Sequence, residues 1–241
     1  MTANSLETGP QDALHTCDGE GRTGDPRWAA PALFWNGLAA AGGPSSPQAV
    51  LTMLGEREYP CYRSLQGDGS ISTAGDYRDK VTEHRMSAAQ FWREAHAVGP
   101  RHPWQLRVRL RDHPELAAFA RSLLTAYRPW LPEAPRMEYS AVWLAGVGSR
   151  TPLHQDAGNG ILVQVAGVKR ARLLHPSALS PEDCSRIRAS ERLLDAYVTR
   201  PEKAWAHFRA ELSPGSALYI PRGWHHDIVC TAPSISLVLR A

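Results

Sequence analysis

The later part of the chain is written in short apolar runs separated by turn residues, and this patterning restricts the fold more than any other feature. The runs are Glu138 to Ala145, Ile161 to Val165, Arg170 to Leu174, Ala217 to Ile220, His226 to Cys230 and Ile235 to Leu239. Each is too short for a stable helix and has the length of a strand. Strands at this spacing build a sandwich or small barrel rather than a doubly wound parallel sheet. One earlier run, Trp104 to Leu110, alternates apolar and polar residues as a half-buried strand does.

Helical signals fall elsewhere. Ser87 and Gln90 form a capping box before Phe91 and Trp92. Asp112 precedes Pro114 and Glu115, and Leu116, Phe119, Leu123 and Leu124 then recur at helical spacing. Ser180-Pro181-Glu182-Asp183 is a third start signal. Thr199 to Glu202 is a fourth, for a helix running through Trp205 and Phe208. The expected organisation is a mobile polar tail over residues 1–26 and a single domain over 27–241. Its part from about 27 to 130 is helical, its barrel core runs from about 138 to 241, and a helical insert occupies 180–212. Hydrophobic residues make up 43% of the chain, enough for an ordinary globular core.

Composition excludes several functions. A formal charge of +3, with basic residues scattered, is no nucleic-acid footprint. No GxGxxG or P-loop pattern is present. Cys17, Cys61, Cys184 and Cys230 make no CxxC pair and read as reduced thiols. The first residues lack the apolar segment of a secretory signal, and no apolar run approaches a membrane span. A cytoplasmic location is the expectation.

The chemistry concentrates in Thr151-Pro152-Leu153-His154-Gln155-Asp156. Residues two apart on a strand share a face, so His154 and Asp156 can address one centre. Taken alone, His-x-Asp is a common surface pair beside a turn. Its partner is Pro221-Arg222-Gly223-Trp224-His225-His226, which lies between two further strands. Two imidazoles and one carboxylate make the facial triad of non-haem iron(II) oxygenases, which leaves coordination positions open.

These residues together resemble the JmjC-type, cupin-like iron(II) and 2-oxoglutarate oxygenases. The family pattern reads here as Thr151, His154, Asp156, the Ile161 to Val165 strand, Gly167-Val168-Lys169-Arg170, and Pro221 to His226. Lys169 follows His154 by fifteen residues, the family's usual gap. The resemblance is strong from about 138 to 239 and weaker over 84–125.

The resemblance implies a double-stranded β-helix, that is, a jelly-roll cupin barrel, with an all-β core and added helices. It implies Fe(II) held by His154, Asp156 and His226, with dioxygen and 2-oxoglutarate as cosubstrates. Lys169 and Thr151 would hold the far carboxylate of 2-oxoglutarate, where a buried dicarboxylate needs a paired cation. The implied reaction is hydroxylation of an unactivated C–H bond in a peptide or protein side chain, an amino acid or a specialised metabolite. Oligomeric state is not implied. Two alternatives remain: a cupin metalloenzyme that does not use 2-oxoglutarate, and a non-catalytic cupin-like binding module.

Several neighbours are weighed beside these. His225 and Asp227 flank His226, so alternation turns both away from the metal, with Asp227 exposed. Gly160 stands where the family often has an asparagine, and Asn159 is one residue short of it. Val238 replaces a second family asparagine. Tyr139, Trp143 and Gln164 lie on strands near the site and are candidate ligand contacts. His84, His96, His102, His113, His175 and His207 have no partner at ligand spacing.

Overall fold

The computed structural model describes residues 31–34, 44, 46–65, 71, 81–127, 140–156, 158–175 and 207–240. They form twelve strands, three α-helices and one short 3-10 turn. The strands are β1 (Ala32–Phe34), β2 (Glu58–Ser64), β3 (Val81–Ser87), β4 (Trp104–Arg109), β5 (Ala141–Ala145) and β6 (Arg150–Gln155). They continue with β7 (Gly160–Ala166), β8 (Lys169–Leu174), β9 (His207–Leu212), β10 (Ala217–Ile220), β11 (His225–Cys230) and β12 (Ser234–Arg240). An eight-stranded sheet runs β1-β10-β7-β12-β5-β4-β2-β3, and a four-stranded sheet runs β6-β11-β8-β9. Every described pairing is antiparallel. This is an all-β jelly-roll core with added helices.

Two apolar layers hold it together. Between the sheets lie Leu33, Leu162, Leu173, Phe208, Leu218 and Trp224. On the other face of the large sheet, Leu106, Leu144, Val163 and Leu237 pack with the helices α1 (Pro47–Leu54), α2 (Ala88–Ala97) and α3 (Pro114–Tyr127). The helices begin where the chain supplies caps. The Ser46 and Ser87 hydroxyls accept from the amides of Ala49 and Gln90, and Pro47 sits at the start of α1. Among the described residues no helix is long and apolar enough to cross a membrane.

Two expectations need correction. The stretch 27–130 is not simply helical, since β1 to β4 lie within it. β2 carries Pro60, and β3 has three consecutive exposed residues, Glu83 to Arg85, so neither shows clean alternation. Pairing with β4 makes them strands, as an extension of the large sheet. The helical insert does not reach 212 either: His207–Leu212 is β9, and Phe208 belongs to a strand. Phe208, Ala210 and Leu212 are buried while Arg209 is exposed, a period of two rather than 3.6. The expected tail, the helix starts at Ser180 and Thr199, Cys17, Cys184 and Tyr139 lie outside the described residues.

Candidate metal centre

His154, one residue before the end of β6, lies in direct register with His226 on β11, the neighbour of that strand in the small sheet. The two rings lie 4.2 Å apart, centroid to centroid. Asp156 follows β6 immediately, with one carboxylate oxygen 3.3 Å from His226 Nε2 and the other 3.8 Å from His154 Nε2. One ligand atom from each of the three residues lies within 4.8 Å of the others. An ion bonded to each at about 2.1 Å would hold its ligand atoms about 3 Å apart, so this donor set fits a divalent metal after small adjustments.

The surroundings orient the ligands. Nδ1 of His226 lies 3.3 Å from the Trp224 carbonyl, which turns the ring so that Nε2 faces the cluster. Burial pushes the Asp156 carboxyl up in pKa. The hydrogen bond from His226 and the charges of His226, Arg240 and His154 outweigh burial and hold it well below the usual carboxylate range. Arg240, at the end of β12, reaches Asp156 through Nη1. Gly160 makes room for it: a Cβ there would lie 3.0 Å from that nitrogen.

Thr151 and His154 both line one pocket, although they stand three positions apart. On a regular strand they would face opposite ways. The register supplies the reason. His226 pairs with His154 but Ile228 pairs with Thr151, so three steps on β6 match two on β11. The resulting bulge, at Pro152 and Leu153, turns Thr151 back inward. Proline is tolerated there because β6 is an edge strand.

Lys169 begins β8 and lines the same pocket. It is 5% exposed, and its Nζ donates to Ser236 Oγ of β12 at 2.6 Å. Among the described residues it has no carboxylate partner. Burial drives its pKa down. The pocket, about 650 Å³ including its mouth, also takes in Trp143, Gly160, Cys230 and Val238.

The neighbouring residues divide as strand alternation requires, with one exception. His225 is buried and does not line the pocket. Gln164 is buried, with its amide bonded to the Ala166 carbonyl, and it too is absent from the lining. Asp227 does turn away from the metal cluster, but the expectation that it is exposed is wrong. It is 5% exposed, because Arg150 and Arg172 cover it with contacts of 2.8 and 2.9 Å. Asn159 is also buried: its Oδ1 accepts from Tyr219 Oη at 3.0 Å and from the Arg222 amide at 2.8 Å. It anchors the turn that delivers His226.

Sequence reasoning passed over Ser236 and Arg240. A usable signal was present: Ser234, Ser236, Val238 and Arg240 form the period-two set that faces the barrel interior from an apolar strand. Buried Cys61 and Cys230 are free thiols, and burial pushes Cys61 up to about 11.

Comparison with known proteins covers most of this architecture. The family model described as "Cupin-like domain" matches residues 79–238. Jumonji C domain-containing protein 5 of Drosophila melanogaster is 34% identical over 103 residues, 39% of this chain and 25% of that protein. Human HSPB1-associated protein 1 is 32% identical over 104 residues, 39% of this chain and 21% of that protein. The chain thus spans about a quarter or less of these relatives' length. Among solved structures, E. coli ycfD superimposes with a TM-score of 0.52 at 16% identity, covering 89% of this chain and 51% of the other. That likeness is one of fold.

Proposed function

The chain belongs to the cupin-like domain family of JmjC type, and on that premise we propose that it is an iron(II)- and 2-oxoglutarate-dependent hydroxylase. His154, Asp156 and His226 would hold Fe(II), while Lys169 and Thr151 would hold 2-oxoglutarate. The bound iron supplies the activation of dioxygen and the oxidative decarboxylation of 2-oxoglutarate that hydroxylation of an unactivated C–H bond requires. The substrate is a peptide or protein side chain, an amino acid or a specialised metabolite, and the site of action is the cytoplasm. The human relative's name records association with another protein, which accords with the peptide option.

One observation carries this reading. Lys169 is a buried amine whose bonding partner among the described residues is a serine hydroxyl, in the pocket that holds the His-Asp-His cluster. A buried charge without a counter-charge costs several kcal/mol, on the order that a ligand carboxylate would offset. A metal centre that did not use 2-oxoglutarate, or a metal-free binding module, gives no reason for that cost.

The chain's own groups account for the rest. The β6 bulge brings the Thr151 hydroxyl to the lysine's pocket. Trp143, Ile161 and Leu162 give the pocket an apolar wall. Arg240 bonds Oδ2 of Asp156, the oxygen nearer His226, and holds the carboxylate in place beside the two histidines. Purified protein with Fe(II), ascorbate and 2-oxoglutarate is expected to form succinate, accelerated by substrate. His154→Ala is expected to abolish iron-dependent turnover. No succinate in the presence of a broad substrate panel, or full turnover by His154→Ala, would overturn the proposal.

A further inference from the structure

Two guanidiniums stand on the pocket side of the large sheet with no carboxylate at ion-pair distance among the described residues. On β4, Gln105 lines the pocket, and Arg107 and Arg109 follow at the period of two that keeps them on that face. Register places Arg107 opposite Trp143 of β5, with its guanidinium carbon 5.4 Å from the indole centroid. Trp143 itself lines the pocket. Arg109 is opposite Ala141, which pairs in turn with the lining residue Val238. Both arginines are exposed.

An exposed arginine is usually just solvated, so the surroundings decide. Arg150, Arg170 and Arg172 of the small sheet each meet a carboxylate. Among the described residues, Arg107 and Arg109 meet none at ion-pair distance. The Arg107 side chain is solvent-accessible along its length but its guanidinium is partly enclosed against Trp143, and that enclosure, with the charges of Arg109 and Arg240, lowers its pKa against the opposing pull of Asp156. Arg240 is engaged with Asp156. Like charges gathered at the rim of a pocket raise the free energy of the protein alone and favour anion binding. Stacking on Trp143 holds one guanidinium in place while leaving its N–H edge open to an oxyanion.

We propose that Arg107 and Arg109, with Trp143, form an outer anion site, and that the substrate carries a carboxylate or phosphate bound there while its reacting carbon enters the pocket. This deepens the hydroxylase reading and rests on it. Lys169 and the arginine pair then divide two anions: the cosubstrate's carboxylate inside, the substrate's at the rim.

The test uses a panel of N-acetyl amino acids as free carboxylates, the same compounds as primary amides, N-acetyl-phosphoserine amide, and N-acetyl-arginine amide. Binding is measured by calorimetry on the protein with and without Fe(II) and 2-oxoglutarate, in the absence of oxygen. Anionic members are expected to bind at least about tenfold more tightly than their amides, and less tightly as salt rises. The stronger of the carboxylate and phosphate arms identifies the group. Arg107→Gln with Arg109→Gln should erase the preference but leave 2-oxoglutarate affinity unchanged, and Arg107→Lys with Arg109→Lys should keep part of it. No binding by any anionic member, equal binding of amides, or an unchanged preference in the glutamine pair would overturn the proposal. Failure of the Fe(II) form to bind 2-oxoglutarate would instead remove the hydroxylase reading, and it shows in its own arm.

Discussion

Lys169 joins stability and function at a single position. Its pKa is lowered by burial, so the folded state binds its proton less well than the unfolded state does. Between the lowered value and the unfolded value near 10.4, the unfolded state carries more protons, and stability rises with pH. Below the lowered value the penalty is present in full. Lys169→Met removes it, at the loss of one hydrogen bond to Ser236. Without 2-oxoglutarate the variant is expected to be more stable at neutral pH by about 1–4 kcal/mol, with the gain shrinking toward pH 10. Urea denaturation at several pH values measures this. The same variant is expected to bind 2-oxoglutarate at least about tenfold less tightly with metal affinity retained. Unaltered cosubstrate affinity would remove Lys169 from the site.

At the level of elements, two devices aim the ligand strands. The bulge in β6 lets Thr151 and His154 share a pocket. The turn from β10 to β11 is held by Asn159, which satisfies the Arg222 amide and the Tyr219 hydroxyl at once. Asn159→Ala leaves both donors without this acceptor, at a cost of about 1–3 kcal/mol each. A lower melting temperature and weaker Mn(II) binding are expected together, because the turn sets the position of His226. A stable variant with normal metal affinity would show that the turn holds itself. Asp227 secures the other face of β11 through Arg150 and Arg172. Alternation located its direction correctly, but two arginines from β6 and β8 decided its burial.

Across the whole molecule, the site exists because two sheets meet. The cluster residues come from the small sheet and the loop after β6, while Ser236, Trp143 and Arg240 come from the large one. The chain crosses between the sheets several times, and one crossing is the turn from β7 to β8, where Gly167 has φ of 70°. A Cβ at Gly167 would lie 2.0 Å from the Pro233 carbonyl oxygen, just before β12. Backbone against backbone cannot yield as a side chain would. Gly167→Ala is therefore expected to cost more than about 1–3 kcal/mol, from strain and displacement of the turn. Denaturant unfolding measures the loss, and a change under about 0.5 kcal/mol would mean that the two turns separate freely.

What the sequence determined by itself was local. Alternation marked β4, short apolar runs between turn residues marked the barrel strands, caps marked α2 and α3, spacing paired His154 with Asp156, and the family resemblance added His226 and Lys169. The runs, the caps and the His154–Asp156 pair survive in one dimension because they depend on residues a few positions apart. Strand pairing decided the rest. β2 and β3 became strands by extending a sheet, although their own pattern is weak, and Phe208 left its expected helix to pair beside β8. A register shift turned Thr151 inward, and two arginines buried Asp227. Arg240 came to Asp156 from a residue 84 positions away, and Arg107 came to Trp143 across a strand pair. Register and cross-strand contact belong to pairs of distant segments, so only the folded sheet specifies them.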